Sequence, residues 1–360
     1  MNSLIDGKTS VYFCQSCSHL QTNELPDLIN YYATEYEINL NSEEDDQLYK
    51  VVDGKMLYRA DHQATVLQSK VDLFPGCRVL DYGCAKAPTL KKVVISNPDI
   101  EPFLFDVTDK YISFWNLYPR QVNYSVFQPD PSWKGSMDIV LSFYALEHVA
   151  NLKEAISNIK SLLKPGGIFY FIVPNVYENI ADFIVADHIN HFSKGSLKSF
   201  LSKEGFRDIA IDDMVHDAAF VVTAKLSLNS ELLPTEVNSQ EVNKCYNSCL
   251  DMAVYWQNAI SRILEFEKNI DDKGIVAIYG AGFYGNLIAS TLKRFNKVQC
   301  FIDQNKYLQG THINHKPVLS PVEMNKEISY VFVGLNPRIA HETIENIKCW
   351  KDRQLNFFYL

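Results

Sequence analysis

The sequence predicts an α/β protein in which two separate, largely parallel sheets are covered by helices. From residue 76 onward, short apolar strands alternate with amphipathic helices, which is the pattern of βαβ units. The polar stretch 228–240 interrupts this alternation, a helical region follows over about 241–270, and "GIVAIYGAGFYGN" opens a second strand–turn–helix unit. A chain of 360 residues is also longer than one hydrophobic core usually organises.

The clearest βαβ unit is "MDIVLSFYALEHVANLKEAISNIKSLLKPGGIFYFIVPN". Residues 137–142 predict a buried strand, and Asn151 with Glu154 predicts a capped helix start. Residues 164–167, Lys-Pro-Gly-Gly, predict the end of that helix, and residues 168–173 predict the next strand. These helix-start and helix-end signals between two strands predict a parallel sheet in the first half of the chain.

Charge, hydropathy and cysteine usage exclude several classes of protein. A formal net charge of -9 at pH 7 argues against a nucleic-acid partner held through its phosphates. No apolar run approaches the ~20 residues that span a bilayer, and the first residues lack the pattern of a secretory signal. Eight scattered cysteines indicate reduced thiols rather than a disulfide framework. We therefore expect a cytoplasmic protein without a nucleic-acid or membrane partner, and its oligomeric state stays open.

The first glycine-bearing turn lies in "CRVLDYGCAKAPTL", where a strand is followed by small residues and a helix. Small residues at this point allow a nucleotide cofactor to approach the backbone. The next strand, "EPFLFD", ends in Asp106, an acid that can accept hydrogen bonds from both ribose hydroxyls. The missing third glycine and the absence of a GK[ST] motif argue against a pyrophosphate ligand.

This turn, Asp106, "DIVLSFYALEHV" and "LLKPGGIFYFIVPN" together resemble the class I S-adenosylmethionine-dependent methyltransferases over about residues 70–215. The resemblance implies a Rossmann-like sheet and S-adenosyl-L-methionine as cofactor. It implies cofactor contacts from Asp81, Gly83, Cys84, Ala85, Asp106 and Phe143. Ala85 and Ala87 stand where the family usually has glycines, so a binding protein with a methyltransferase fold and no cofactor is an alternative.

The flanking segments "YFCQSCSHLQT" and "IYGAGFYGN" resemble, in their order, the sugar C-methyltransferases that act on nucleotide-linked deoxysugars. Those proteins carry an N-terminal zinc module with two cysteine pairs and a C-terminal Rossmann-like lobe. Only one pair, Cys14 and Cys17, is present here; His19 offers a third ligand and no fourth is apparent, whereas structural zinc takes four. We therefore expect a metal-free remnant of that module.

The resulting domain prediction has three parts. Residues 1–69 form the N-terminal segment and a solvated acidic connector (37–50), residues 70–235 form the methyltransferase domain, and residues 236–360 form a helical linker and a smaller Rossmann-like lobe.

In the C-terminal lobe, a glycine turn follows a strand and opens a helix. Gly280, Gly282 and Gly285 match a dinucleotide fingerprint, with Asp303 ending the next strand, so an NAD(P)-dependent oxidoreductase is an alternative function. The lobe holds only half of a full dinucleotide-binding fold. The resemblance instead implies a substrate-binding role, and we expect substrate contacts from Gly282, Asn175 and Tyr177.

"VADHINHFS", residues 185–193, precedes a helix predicted over 194–204. In the sugar C-methyltransferases an acid followed by a His stands at this position, and that His is the proposed base. Asp187-His188 matches, with Asp where Glu is usual and Val185 where a Tyr is usual. Glu147-His148 is a second candidate pair, and His191 is assigned to packing.

The chemistry explains why a base is wanted. A sugar carbon becomes nucleophilic only as an enolate, after a proton beside a ketone is removed, and an imidazole suits that removal. The sequence thus predicts a methyltransferase that C-methylates a nucleotide-activated sugar or related carbohydrate intermediate, with His188 as base. O-methylation of a sugar or small molecule is the alternative, in which His188 would deprotonate a hydroxyl.

Overall fold

The computed structural model describes residues 9–25, 42, 45–52, 54–228 and 238–360. The chain divides into two compact units, and the division falls between Ser248 and Cys249. The predicted connector 37–50 and the predicted boundary stretch 228–240 lie partly outside the described residues. In the described ranges, no helix has the length and apolar character needed to cross a membrane.

The larger unit contains twelve described strands. They are β1 (Val11–Phe13), β2 (Leu20–Thr22), β3 (Leu48–Val52), β4 (Lys55–Tyr58), β5 (Arg78–Tyr82), β6 (Glu101–Asp106), β7 (Asn123–Val126), β8 (Met137–Phe143), β9 (Leu163–Pro174), β10 (Asn190–His191), β11 (Phe206–Asp212) and β12 (Ala219–Leu226). Its α-helices are α1 (Arg59–Lys70), α2 (Pro88–Ser96), α3 (Ile112–Trp115), α4 (Leu152–Leu162) and α5 (Lys194–Lys203).

The central sheet of this unit has seven strands in the order β11-β12-β9-β8-β5-β6-β7. Strands β5 to β9 run parallel, and β12 and β11 are added antiparallel at one side. The strand order reverses between β5 and β8, and ligands of open α/β sheets bind beyond the carboxyl ends of the strands at such a reversal. This architecture confirms the predicted Rossmann-like sheet.

Around β9, the structure differs from the predicted end of the preceding helix. The Lys-Pro-Gly-Gly stretch was expected to end a helix, but α4 ends at Leu162 and the stretch lies inside β9. Met137 pairs with Leu163 and Ile139 pairs with Ile168, so an irregularity in the register absorbs the extra residues. Gly166 supplies the positive φ of 79° that this irregularity contains.

A short hairpin precedes the central sheet in the chain. β1 pairs with β2, and β2 pairs in turn with β10, which makes a three-stranded antiparallel sheet. The cysteine pair lies in the turn of this hairpin, where the N–H of Ser18 bonds to the carbonyl of Cys14 at 2.8 Å. The last residues of the predicted connector belong to β3, which pairs with β4 instead of being irregular.

The described residues of the smaller unit begin at Cys249, inside the long helix α6 (Ser239–Lys268). Its remaining elements are β13 (Val276–Tyr279), α7 (Phe283–Thr291), β14 (Val298–Ile302), β15 (His312–Ile313), β16 (Lys316–Leu319), β17 (Tyr330–Val333), α8 (Pro337–Glu345) and β18 (Asn356–Tyr359). The sheet order is β15-β16-β14-β13-β17-β18, with β15 antiparallel and the other pairings parallel. A second, smaller α/β sheet is therefore confirmed.

Candidate active site

Two acids lie at the carboxyl ends of neighbouring strands in the larger unit. Asp81, near the end of β5, is 2% exposed, and its Oδ1 has no hydrogen-bond partner among the described residues. Burial, followed by the nearby charge of Asp106, raises the pKa of Asp81 to about 8. An unpartnered buried carboxyl oxygen is costly unless a donor reaches it, so this oxygen is suited to a ligand.

Asp106 ends β6 and is held by backbone donors. Its Oδ2 accepts the N–H of Ala85 at 2.8 Å, and its Oδ1 accepts the N–H of Thr108 at 3.2 Å. Burial raises the pKa of Asp106 despite these bonds. Each carboxylate oxygen can accept two hydrogen bonds, so the group retains capacity for a further donor.

The turn between β5 and α2 keeps a left-handed backbone although alanines replace glycines. Ala85 and Ala87 have φ values of 46° and 52°, a conformation that costs a residue with a Cβ about 1–2 kcal/mol. Two aromatic side chains hold the turn: Trp115 Nε1 donates to the carbonyl of Ala85, and the Tyr118 hydroxyl donates to the carbonyl of Ala87, both at 2.7 Å. The alanines therefore preserve the shape of the turn.

Three other residues expected near the cofactor surround this turn. Gly83 has a φ of 71°, and a Cβ there would lie 2.9 Å from that of Ala145. Cys84 is buried, which raises the pKa of its thiol well above the ordinary value. Phe143 ends β8 with its ring 6.0 Å from that of Tyr170.

A buried carboxylate joins two histidines beyond β9. Asp182 accepts hydrogen bonds from Nδ1 of His188 through Oδ1 and from Nδ1 of His191 through Oδ2, the second at 3.1 Å. Burial alone would raise the pKa of Asp182, but the charges and hydrogen bonds of the two imidazoles lower it. Burial alone would lower the pKa of His188, but Asp182 and then Glu147 raise it to about 9.

A second acid–histidine pair stands beside the first. Nδ1 of His148 lies 3.1 Å from the carbonyl oxygen of Asp187 and 3.2 Å from its Oδ2. The rings of His148 and His188 meet edge to face, with 4.6 Å between their centroids. Glu147 is 1% exposed, and its Oε2 has no hydrogen-bond partner in the described part of the chain. The four residues predicted for catalysis, Glu147, His148, Asp187 and His188, thus come together, but Asp187 contacts His148 and not His188.

Backbone contacts fix the two histidine segments to each other and to the N-terminal hairpin. The N–H of Ile189 bonds to the carbonyl of Glu147 at 2.8 Å. Thr22 Oγ1 donates to the carbonyl of His188 at 2.6 Å, across 166 residues of chain. The hydroxyls of Ser18 and Ser193 lie 2.6 Å apart, and Ser193 caps α5. The hairpin therefore helps to position His188.

The cysteine pair and His19 do not share one ligand cluster. Nε2 of His19 lies 3.2 Å from Oδ1 of Asn190, and its ring packs on Phe192. In the ranges that the structure describes, one group of at least three side chains could hold a metal ion. It consists of Glu147, His148 and His188, whose ligand atoms lie within 4.8 Å of one another.

The three predicted substrate residues differ in their surroundings. Asn175 is buried, and its Oδ1 accepts the N–H of Tyr177 at 3.1 Å, so its amide stabilises the turn after β9. Tyr177 is half-buried. Gly282 belongs to the smaller unit, and a Cβ built on it would meet no atom within 4 Å.

Sequence reasoning missed an aromatic and cationic group that includes Tyr144, the residue directly after β8. The guanidinium of Arg59 lies 5.0 Å from the ring centroid of Tyr144, and Tyr49 stacks on His62 at 4.0 Å. It also missed Asp182, because that residue lies in a short 3-10 turn (Ile180–Ile184), where no periodic pattern or motif links it to His188.

A family model for the methyltransferase domain matches residues 26–211. The chain belongs to this methyltransferase family. Its larger unit has the class I fold of S-adenosylmethionine-dependent methyltransferases, and S-adenosylmethionine is the cofactor of that family.

Among curated proteins, this methyltransferase is similar to "C-methyltransferase NovU" from Streptomyces niveus, with 26% identity over 232 residues. The match covers 59% of this chain and 54% of the relative, so the chain spans about half the length of the curated relative that it matches.

Solved structures similar to this methyltransferase include the CurJ carbon methyltransferase, with 18% identity, a TM-score of 0.38, and coverage of 46% of this chain and 54% of that one. A putative methyltransferase in complex with the Haloferax volcanii Trm112 activator has 17% identity, a TM-score of 0.38, and coverage of 46% and 89%. A SAM-dependent methyltransferase from Archaeoglobus fulgidus has 19% identity, a TM-score of 0.38, and coverage of 47% and 95%.

Proposed function

We propose that this methyltransferase transfers a methyl group to a carbon atom of a nucleotide-activated sugar or a related carbohydrate intermediate. The name of the Streptomyces niveus relative supports transfer to carbon. The sugar class is supported by the order of the cysteine segment, the methyltransferase region and the C-terminal lobe in the sequence. The single observation that carries the proposal is the buried Asp182–His188 pair, because transfer to carbon needs a positioned base.

The residues at the carboxyl edge of the sheet fit the cofactor of the family. The unpartnered Oδ1 of Asp81 offers an acceptor for the ammonium group at the methionine end. Asp106 offers acceptors for ribose hydroxyls, and Gly83, with Cys84 and Ala85, lets the ligand approach the backbone. Phe143 contributes apolar surface. When bound there, S-adenosylmethionine supplies a methyl group that is already activated for transfer.

His188 is the proposed base. The ionised carboxylate of Asp182 can only accept, so Nδ1 of His188 carries the hydrogen of their bond and Nε2 is the atom that takes a proton from the acceptor. Removal of a proton beside a ketone leaves the electron pair in an enolate, and the new imidazolium is stabilised by Asp182. His148, oriented by Asp187, is the neighbouring group that would relay the proton onward or bind the acceptor oxygen.

The domain division and the substrate residues are part of the same proposal. Residues 1–69 are a cysteine-pair segment and connector, 70–235 are the methyltransferase domain, and 236–360 are the linker and C-terminal lobe. Gly282 and Tyr177 contact the acceptor in this proposal. Asn175 acts through the turn that it holds beside Tyr177.

A panel of nucleotide-linked keto sugars, incubated with the enzyme and methyl-labelled cofactor, tests the proposal by mass spectrometry. Because the pKa of His188 is raised to about 9, the assay should run from pH 7 to pH 10. The expected product carries the label on carbon. With the demethylated cofactor product in place of the donor, the wild-type enzyme should exchange the α-proton of the acceptor for deuterium. Label on a hydroxyl oxygen without any exchange would overturn C-methylation and favour the O-methyltransferase.

A further inference from the structure

Glu147, His148 and His188 form a compact set of ligands for a cation. One ligand atom from each side chain lies within 4.8 Å of the other two. Glu147 is almost completely buried, and its Oε2 has no hydrogen-bond partner among the described residues. A buried carboxylate oxygen in this condition gains most from a cation, because no protein donor compensates for the loss of water.

Nδ1 of each histidine has the kind of contact that usually orients a metal-binding imidazole. Asp182 holds Nδ1 of His188, and Asp187 holds Nδ1 of His148, so an ion bound to these rings would take Nε2 of each. In metal sites a ligating His almost always donates its other ring N–H to a carboxylate or carbonyl, which fixes the ring and raises its basicity. Two imidazoles, each held by a different acid and both close to the buried carboxylate of Glu147, are not required by proton transfer alone.

We propose that Glu147, His148 and His188 bind a divalent transition-metal ion such as zinc, and that an ion bound there inhibits the enzyme. Zinc with two His and one Glu leaves one coordination position open. Bonds of about 2.0–2.1 Å place tetrahedral ligands about 3.4 Å apart, so side-chain movements on the order of 1 Å close the site. Inhibition follows because the ion occupies the ring nitrogen that takes the proton; this second part rests on the proposed function, whereas binding does not.

Equilibrium dialysis of the metal-free full chain against Zn²⁺, with and without Glu147→Gln, tests the binding. Glutamine keeps the size of the side chain and removes its charge. We expect the ion held by wild type to be bound at least tenfold more weakly by Glu147→Gln and by His148→Asn. Asp182→Asn, which alters only an outer contact, should weaken binding by about 10–100-fold. Thermal unfolding of each variant without metal separates loss of ligands from loss of fold.

The cysteine pair provides the matched control. The double variant Cys14→Ser, Cys17→Ser should retain the ion, because neither thiol belongs to the cluster. Cobalt(II) in place of zinc gives an independent readout, since thiolate ligands add a charge-transfer band in the near ultraviolet that His and Glu ligands do not. Binding lost in the cysteine variant and kept in Glu147→Gln, or no binding to wild type, would overturn the site.

The inhibition is tested separately from the binding. Once methyl transfer has been measured, added Zn²⁺ should abolish it at the concentration that fills the site in dialysis, and a chelator should restore it. Full activity with the site filled would overturn the inhibitory role. Filling of the site in a protein that methylates none of the sugars would leave the metal site intact and count against the proposed function alone.

Discussion

His188 is bonded through Nδ1 to Asp182, which lies six residues earlier in the chain. The acid directly before it, Asp187, contacts His148 instead. Asp187 and His188 are therefore adjacent in sequence but belong to different acid–histidine pairs. The acid that orients the candidate base His188 is Asp182 and not Asp187.

Replacement of Asp182 tests which pair is catalytic. Asp182→Asn keeps the shape of the side chain but removes the charge that stabilises the imidazolium of His188. We expect kcat for methyl transfer to fall by about 10²-fold, within the range of general base catalysis, with S-adenosylmethionine affinity nearly unchanged in calorimetry. Asp187→Asn is the matched control. A larger loss in Asp187→Asn would identify His148 as the base.

Replacement of His188 and of His191, which both bond to Asp182, should have different effects. His188→Ala should lose at least ~10²-fold in turnover and should no longer exchange the α-proton of a keto sugar. His191 is fully buried, so His191→Ala should lower the free energy of unfolding by about 1–3 kcal/mol, because it removes a donor from a buried carboxylate. Exchange that survives in His188→Ala would move the base to His148.

Asp106 and Asp303 provide a matched pair for the cofactor site. Asp106 accepts the N–H of Ala85 in the larger unit, and Asp303 accepts the N–H of Ala281 in the smaller unit, both at 2.8 Å. We expect Asp106→Ala to weaken S-adenosylmethionine binding by about 1.5–3 kcal/mol. Asp303→Ala should leave that affinity unchanged. Equal affinity in wild type and Asp106→Ala would remove Asp106 from the cofactor site.

Asp81 should make folding stability depend on pH. Its folded pKa of about 8 lies above the ordinary value of 3.8, so the folded state keeps a proton that the unfolded state has already lost. Stability is therefore highest below about pH 4 for this group and falls as the pH rises toward 8, by up to about 1.4 kcal/mol per pH unit. Asp81→Asn should flatten this slope in chemical denaturation between pH 5 and pH 8. An unchanged slope would contradict the buried, protonated carboxyl.

Substitutions at Gly282 and Gly285 of the smaller unit should differ in their effect on folding. A Cβ at Gly285 would lie 1.9 Å from the carbonyl oxygen of Gly280, so Gly285→Ala should destabilise this unit by about 1–3 kcal/mol or more. A Cβ at Gly282 meets no atom, so Gly282→Val should fold normally and report on ligand contact alone. We expect weaker acceptor binding with intact cofactor binding. Specific NADH binding to wild type, lost in Gly282→Val, would favour the oxidoreductase alternative.

Local pattern was sufficient to predict much of the fold. The strand that begins at Arg78, the acid that ends β6 and the Ser193 cap of α5 follow from spacing, periodicity and capping chemistry, all of which act over a few residues. The cluster beside His188 does not follow in this way. Asp182, in a turn, and Thr22, in a hairpin distant in sequence, both form hydrogen bonds with His188. No local sequence pattern indicates those two contacts.

The pairing of β2 with β10 has a practical consequence for protein engineering. A fragment cut at residue 26, where the family match begins, would discard β1 and β2 and leave β10 as an exposed edge. Loss of turnover in such a fragment would reflect a displaced His188 and not a missing domain. Chimeras between relatives should therefore exchange the hairpin and residues 185–193 together, because the contacts of Ser18 with Ser193 and of His19 with Asn190 depend on the side chains at both ends.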